Sequence, residues 1–362
     1  MHPHPALSPR ARVSTKLPQF QNTLSLAIAC LALHATTCAA KDQDLAPPVV
    51  EGRWLRPAAN GPALPIWGHT DGLRVGLHPL RGPRGLLRIY TPYLHLPENH
   101  VINFIAVEPI VTGQDGRGLS ELEFSQLDRV PGKRFWSGDK VATTAGDPQR
   151  PAHGWIEHNN GIEILCVYIF VERFDNGAHV YLQLTFRSDR PHEVGIATFT
   201  HADSKPLANC IVTATMGNFA RLRRLYLAHR TVLPADLWPT YDGAGFTPHA
   251  RFNLDDLARN SAGHAVVVAA PNESDPQSVQ LALGTRPNWR YQGDVASQGR
   301  RAEKPTPQLA AQVNARRVYW SSTAPIPGGL AYENFELIEP FHDGQEYWFA
   351  VQPGAAPDLS NW

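Results

Sequence analysis

Charge is what this sequence is short of. Charged residues make up 18% of the 362, against about a quarter in an ordinary soluble domain. Neither sign is in excess, with 33 Lys and Arg facing 33 Asp and Glu. A protein that holds nucleic acid or a membrane surface by electrostatics needs a basic field, and this chain has none. Cysteine and methionine are scarce, at four and two. The familiar signature loops are missing as well. There is no Walker loop, no GxGxxG, no GxSxG and no HExxH, and without a CxxC pair a structural zinc site has no ligands to draw on. No internal repeat with a period of roughly 20–50 residues is visible, which excludes solenoids and propellers.

What is present is apolar and heavily punctuated. A hydrophobic content of 43% excludes a largely disordered chain. The 28 glycines and 32 prolines follow no collagen period, so they mark turns between short elements and exclude an all-helical fold.

The zero net charge is an average over two unlike parts. Residues 1–40 carry Arg10, Arg12 and Lys16 and no acid. An apolar stretch follows from Leu24 to Leu33, then the small-residue run Ala35-Thr36-Thr37-Cys38-Ala39-Ala40. That order of basic, apolar and small residues is the order of a secretory signal. The apolar stretch is too short to span a bilayer, which takes about 20 residues. The expected location is therefore secreted or periplasmic, with residues 1–40 as signal peptide and 41–362 as one domain. Lipid anchoring through Cys30 or Cys38 is disfavoured, since neither has a leucine three positions before it. Cleavage after Ala40 leaves 30 basic residues against 33 acids, a net charge of −3 over 322 residues. Only Cys166 and Cys210 then remain. They either pair in the oxidising compartment or stay as buried thiols in strands. No segment of the mature chain reads as a membrane span.

The dominant period is two. In residues 179–187, Val180, Leu182, Leu184 and Phe186 face one way, and His179, Tyr181, Gln183, Thr185 and Arg187 the other. Residues 162–172 are apolar on both faces and are expected between layers, as are Val101 to Val107 and Ala265 to Ala270. Further strands are predicted at Leu73–Leu77, Leu86–Tyr90, Val194–Thr200, Cys210–Thr215, Val279–Leu283, Arg317–Ser321, Ala331–Ile338 and Glu346–Val351. Asp175-Asn176-Gly177 between two strands signals a hairpin. Short helices are predicted at Leu254–Arg259 and Gln308–Ala315, while Phe219–Leu227 fits either state. Gln298–Pro307, polar and Pro-bearing, reads as a surface loop. About a dozen strands in one chain predict an all-β fold: one large antiparallel β-sandwich with few short helices.

Four clusters stand out as carriers of chemistry. Trp67-Gly68-His69-Thr70-Asp71-Gly72 is either part of a polar pocket or an ordinary turn. Glu121 and Glu123, after Arg117, share a face if their segment is a strand, and would then be a carboxylate pair or a solvated edge. His192 and His201 flank the strand Val194–Thr200. In the C-terminal cluster, parity places Glu333 with Phe335 and Leu337, so its carboxyl is expected on the apolar side. Burial there raises a carboxyl towards neutral pH, where it can move protons. Should the strand begin only at Asn334, Glu333 lies in a solvated turn instead.

Gly329-Leu330-Ala331-Tyr332-Glu333, then Pro340, then Gly344-Gln345-Glu346-Tyr347, resembles the end of the aldose 1-epimerase (galactose mutarotase-like) superfamily. The resemblance covers this C-terminal segment and the strand content. It implies a galactose mutarotase-like super-sandwich, with Glu333 as base and His201, after Ala197-Thr198-Phe199-Thr200, as acid. His192 is the alternative acid. The sugar-contacting residues would be His69, Tyr181, Gln183 and Arg187. The expected partner is a mono-, oligo- or polysaccharide. No cofactor is implied. Calcium has only loop acids such as Asp71 or Asp343 to use, with no spaced ligand loop. Because this fold also carries other sugar chemistries, two further readings stand beside the epimerase: a polysaccharide lyase and a non-catalytic carbohydrate-binding protein.

Overall fold

A computed structural model describes residues 45–78, 80, 82–92, 100–215, 221–272, 296–319, 325–354 and 357–362. The expected leader and the strand expected at Val279–Leu283 lie outside the described residues. Twenty-one strands are described. In chain order they begin with β1 (Val49–Glu51), β2 (Trp54–Arg56), β3 (Ile66–His69), β4 (Arg74–Gly76), β5 (Leu87–Thr91), β6 (His100–Val111) and β7 (Phe135–Gly138). Then come β8 (Trp155–Asn159), β9 (Ile162–Val171), β10 (Val180–Arg187), β11 (Glu193–Thr200), β12 (Leu207–Thr215), β13 (Leu222–Tyr226) and β14 (Thr231–Val232). The last are β15 (Ala250–Asn253), β16 (Ala258–Arg259), β17 (Ala265–Pro271), β18 (Ala296–Ala302), β19 (Ala310–Arg316), β20 (Ala331–Ile338) and β21 (Gln345–Pro353). One helical turn, α1 (Pro234–Leu237), interrupts them.

The strands form two large antiparallel sheets, as the period-two pattern requires. The first runs β1-β2-β3-β4-β5-β6-β12-β20-β19-β15. The second runs β14-β13-β17-β18-β21-β11-β10-β9-β7, with β16 on β17 and β8 on β9. Their inner faces share one hydrophobic core. Val107, Val212, Val313 and Phe335 enter it from the first sheet, and Val167, Leu182, Ile196, Val267 and Phe349 from the second. Lys41–Trp362 makes one compact unit. The fold is thus the expected all-β sandwich. No helix among the described residues is long and apolar enough to cross a membrane.

β10 follows its sequence alternation residue for residue, with Val180, Leu182, Leu184 and Phe186 fully buried and the intervening side chains half-buried. The hairpin at 175–177 is present, and Gly177 takes the positive φ of +94° that its turn needs. β9 is apolar on both faces, but among the described residues no further sheet packs on its outer side. Its outer residues Tyr168 and Phe170 belong to a band of rings described below.

Four expectations about elements fail. Ala310–Arg316 is a strand, not a helix, because Ala311 and Val313 face the core while β20 and β15 bond its two edges. Leu254–Asp256 is a single 3-10 turn that leads into β16. Arg317–Ser321 contributes only the isolated bridge Val318↔Pro325 among its described residues. Within Phe219–Leu227, residues Leu222–Tyr226 are strand.

The fourth failure is the supposed loop at Gln298–Pro307. Its first residues are β18, a fully buried central strand of the second sheet. Polar side chains are tolerated there because each finds a partner inside the sandwich. Gln298 Oε1 accepts from Asn103 Nδ2 at 2.6 Å. Arg300 donates to the Val212 carbonyl at 2.6 Å and lies 5.2 Å from the centroid of the Phe349 ring.

Cys166 and Cys210 are free, buried thiols, so the disulfide alternative is corrected. Cys210 faces the core from β12 in the first sheet, whereas Cys166 points away from it on β9 in the second.

Candidate functional site

A group of ionisable side chains drawn from distant segments lies on the outer face of the first sheet. β6 is twelve residues long. β5 pairs with its first half and β12 with its second. Residues 117–120 return along the edge that β5 leaves open. Arg117 bridges Ile110, Gly118 N donates to the Pro109 carbonyl at 2.8 Å, and Ser120 N to the Val107 carbonyl at 3.3 Å. Ser120 Oγ locks the return by accepting from Val107 N at 2.9 Å and donating to the Gly85 carbonyl at 2.6 Å. Gly85, at φ +67°, must be glycine, since a Cβ would stand 1.9 Å from the Ser120 carbonyl oxygen.

The return brings Arg117 over two carboxylates. Its Nη1 donates to Glu108 Oε2 at 2.7 Å and to Glu336 Oε1 and Oε2 at 3.1 and 3.3 Å. Thr213 Oγ1 donates to Glu336 Oε1 at 2.8 Å, and His249 Nε2 stands 3.7 Å from the same oxygen. These residues come from β6, β12, β20 and the approach to β15. β12 lies between β6 and β20, which gathers side chains more than 200 residues apart in sequence.

Glu333 joins this face by a register shift. Val313 pairs with Phe335 but Ala315 pairs with Tyr332, so Asn314 alone opposes Glu333 and Asn334. Tyr332 and Phe335, three residues apart, therefore both enter the core. The bulge turns Glu333 outwards with Asn334, which corrects the parity expectation that grouped it with Phe335 and Leu337. Asn314 ties the bulge to the site, because its Oδ1 accepts from Asn334 N at 3.0 Å and its Nδ2 stands 3.4 Å from His249 Nε2. The segment 244–249 walls this end. Thr247 exchanges two bonds with Ala315, and Arg316 stacks 4.7 Å from the Phe246 centroid while donating to the Ala244 carbonyl.

The three carboxyls are held in different states. Burial, then repulsion from Glu336 and Glu121, pushes Glu108 up to about 8 despite Arg117. Burial also opposes the charge of Glu336, but the bonds and charges of His249, Arg117 and Thr213 outweigh it and hold Glu336 below the usual carboxylate value. Burial pushes Glu333 up to about 7, with Arg316 pulling weakly the other way. Glu333 is 2% exposed and its Oε1 has no hydrogen-bond partner. A buried carboxylate oxygen without a partner is costly, and sites where carboxyls are driven apart are where acid–base work is done. His249, with 34% of its side chain exposed, and Arg117, with 26%, are the groups of this set that meet solvent.

No protein-family model matches the chain, and no curated protein matches it. The site therefore rests on its own geometry.

The other expected site residues lie elsewhere. His201 follows β11 in the second sheet and packs 4.1 Å from the His179 ring and 4.9 Å from the Tyr181 ring. His192 precedes β11, at the opposite end of the strand, where burial pulls its pKa down. Neither converges with Glu333, which stands on the far face of the other sheet. His69 lines no face. It is 1% exposed between the Trp54 and Phe186 rings, and burial pulls it down to about 4. Tyr181, Gln183 and Arg187 do share the outer face of the second sheet, where Arg187 is paired with Asp189 at 2.9 Å.

Glu121 and Glu123 sit in a turn, not on a strand face, and Glu123 accepts from Leu119 N and Asp175 N. Asp343 caps the end of β11 by accepting from Thr200 N and Oγ1. Among the described residues, no group of three or more His, Cys, Asp and Glu could hold a metal ion. The sequence reading singled out Arg117 and Glu121 but missed Glu108, Glu336 and His249 as a unit. His249 had no local signal at all, being one of thirteen histidines beyond residue 40.

Proposed function

We propose that this is an exported carbohydrate-active protein that moves protons at the outer face of its first sheet, on a neutral aldose. The carrying observation is Glu333, a buried carboxyl with one oxygen unpaired at the bulge opposite Asn314, with His249 reaching the same Asn314 and the ionised Glu336. The segment that resembles the aldose 1-epimerase superfamily is the one that delivers Glu333 to this face, which supports an epimerase-like reaction. Glu333 takes the proton of the anomeric hydroxyl while His249 protonates the ring oxygen. The C1–O bond of the ring breaks, C1 rotates, and the ring recloses with the two roles reversed. His249 occupies the part expected of His201 or His192. Glu336, fixed by Arg117 and Thr213, orients the imidazole and stabilises its cation.

Freshly dissolved aldoses followed by polarimetry or proton NMR test this reading. Enzymatic interconversion of anomers is expected, with a loss of about 10²–10⁴-fold in Glu333→Gln. Interconversion at the spontaneous rate for every aldose tried, or an unaffected Glu333→Gln protein, would defeat it. The polysaccharide lyase reading has less support, since a uronate needs a free cation and the two nearest are engaged, Arg117 by two carboxylates and Arg316 by Phe246 and Glu333.

A further inference from the structure

The outer face of the second sheet carries a ladder of rings that the proposed chemistry does not use. Trp136, Phe170, Tyr181 and Phe199 occupy directly opposed positions on the neighbouring strands β7, β9, β10 and β11. Their centroids follow at 5.9, 5.8 and 5.2 Å, with Tyr181 and Phe199 nearly parallel. Tyr168 stands 5.9 Å from Tyr181, and Trp155 on β8 stands 5.0 Å from Tyr168. Phe170 and His201 are the buried floor, whereas Trp155, Tyr168, Tyr181 and Phe199 are half-exposed.

Cross-strand aromatic pairs commonly serve only to stabilise a sheet. Three features of this band point further. The Tyr168 and Tyr181 hydroxyls donate to no described residue. His201 is 7% exposed and its Nε2 is without a hydrogen-bond partner. None of the large exposed aliphatic side chains lies on the strands that carry the rings. Most of the surrounding charges are engaged by neighbours. Asp203 pairs with His179 at 2.7 Å and Arg173 at 3.3 Å, Arg187 pairs with Asp189, and Asp343 caps Thr200. The face therefore offers flat apolar rings with unmatched hydroxyl and imidazole groups, and the carboxylates left on it without a basic partner, Glu157 at Trp155 and Asp343 at Thr200, would repel an acidic chain. A neutral sugar chain has the complementary chemistry: apolar C–H faces to lie on rings, hydroxyls to bond, and no charge to neutralise.

We propose that this ladder is a second carbohydrate-binding surface, taking a neutral oligosaccharide laid across the half-exposed rings of β8, β9, β10 and β11. It stands on the side of the sandwich opposite Glu333 and does not depend on the reaction proposed there. It would hold a polymer near the protein while the first sheet acts on a free sugar end.

The test uses the full chain and a panel of neutral gluco-, manno- and xylo-oligosaccharides, with oligogalacturonate as the charged comparison. Binding is read by calorimetry and by native-gel retardation in the corresponding polymers. At least one neutral series is expected to bind. Tyr181→Ala and Trp155→Ala are expected to weaken it at least tenfold and Tyr181→Phe less, while Glu333→Gln leaves it unchanged. Trp155 lies on a short peripheral strand, so its variant decides the matter if Tyr181→Ala does not fold. Binding only of the charged series, unchanged binding in Trp155→Ala, or no binding to any neutral series would overturn the proposal. Glu333→Gln that abolishes turnover but not binding separates the two sites.

Discussion

Glu333 offers a sharp test because its burial and its proton are coupled. Its carboxyl stands at about 7 in the folded protein against an ordinary value of 4.5. Below pH 4.5 it is protonated in both states, and its contribution to stability is complete. Between the two values the unfolded chain releases the proton that the folded protein keeps, so stability falls as pH rises, and the loss is complete above 7. At 1.36 kcal/mol per pH decade that loss is roughly 3 kcal/mol. Glutamine at the same position has no proton to lose. Glu333→Gln should therefore gain on the wild type by roughly 3 kcal/mol between pH 4.5 and 8.5. With an unfolding entropy of roughly 2 cal/mol/K per residue over this domain, that is a relative gain in Tm of roughly 5 °C. Any lost contact with Arg316 displaces the whole difference curve, and Glu108 titrates in both proteins and cancels. Calorimetric or fluorescence melts at half-unit pH intervals read the effect. A difference in Tm that stays flat across the range, or shrinks with rising pH, would refute the burial argument.

Three further outcomes are expected. Asn103→Ala strands the Gln298 amide inside the sandwich and should cost about 1–3 kcal/mol in urea unfolding, while Asn103→Leu combined with Gln298→Leu recovers most of the loss; equal destabilisation by both would count against the pair as a unit. Gly299→Ala places a Cβ 2.1 Å from the Trp362 ring, so it should lower stability by about 1–3 kcal/mol and shift tryptophan emission to the red; an unchanged spectrum and melt would contradict the packing. Cys166, pushed up to about 11 by burial, and Cys210, pushed higher still, should resist thiol reagents in the native protein and react in denaturant; rapid native labelling in peptide mass maps would show that they are not buried.

The sandwich was legible where alternation was strong and local. β10 could be read because a half-buried strand writes its two faces into alternate residues. β18 could not. Ala-Ser-Gln-Gly-Arg-Arg-Ala has no apolar face, and it lies at the centre of a sheet only because Asn103 and the Val212 carbonyl, far away in sequence, accept or supply its hydrogen bonds. Its glycine is likewise explained by Trp362, the last residue of the chain.

The site divides in the same way. That Glu333 is a buried carboxyl with a raised pKa was readable, but for a reason the structure replaces. Parity put it against the core, whereas a one-residue bulge turns it to the opposite face, where it is still buried. The imidazole at Glu336 and Asn314 was not readable, because local sequence places His201 and His192 at the ends of a strand and says nothing about which sheet faces which. By itself the sequence determined the all-β class, the turns and the low, balanced charge content, since composition and period are local properties. Only the tertiary structure decided which carboxyls meet, that Arg117 joins Glu108 to Glu336, and that the aromatic ladder and Glu333 lie on opposite sides. Those relations depend on strand order and register between distant segments, which no local pattern encodes.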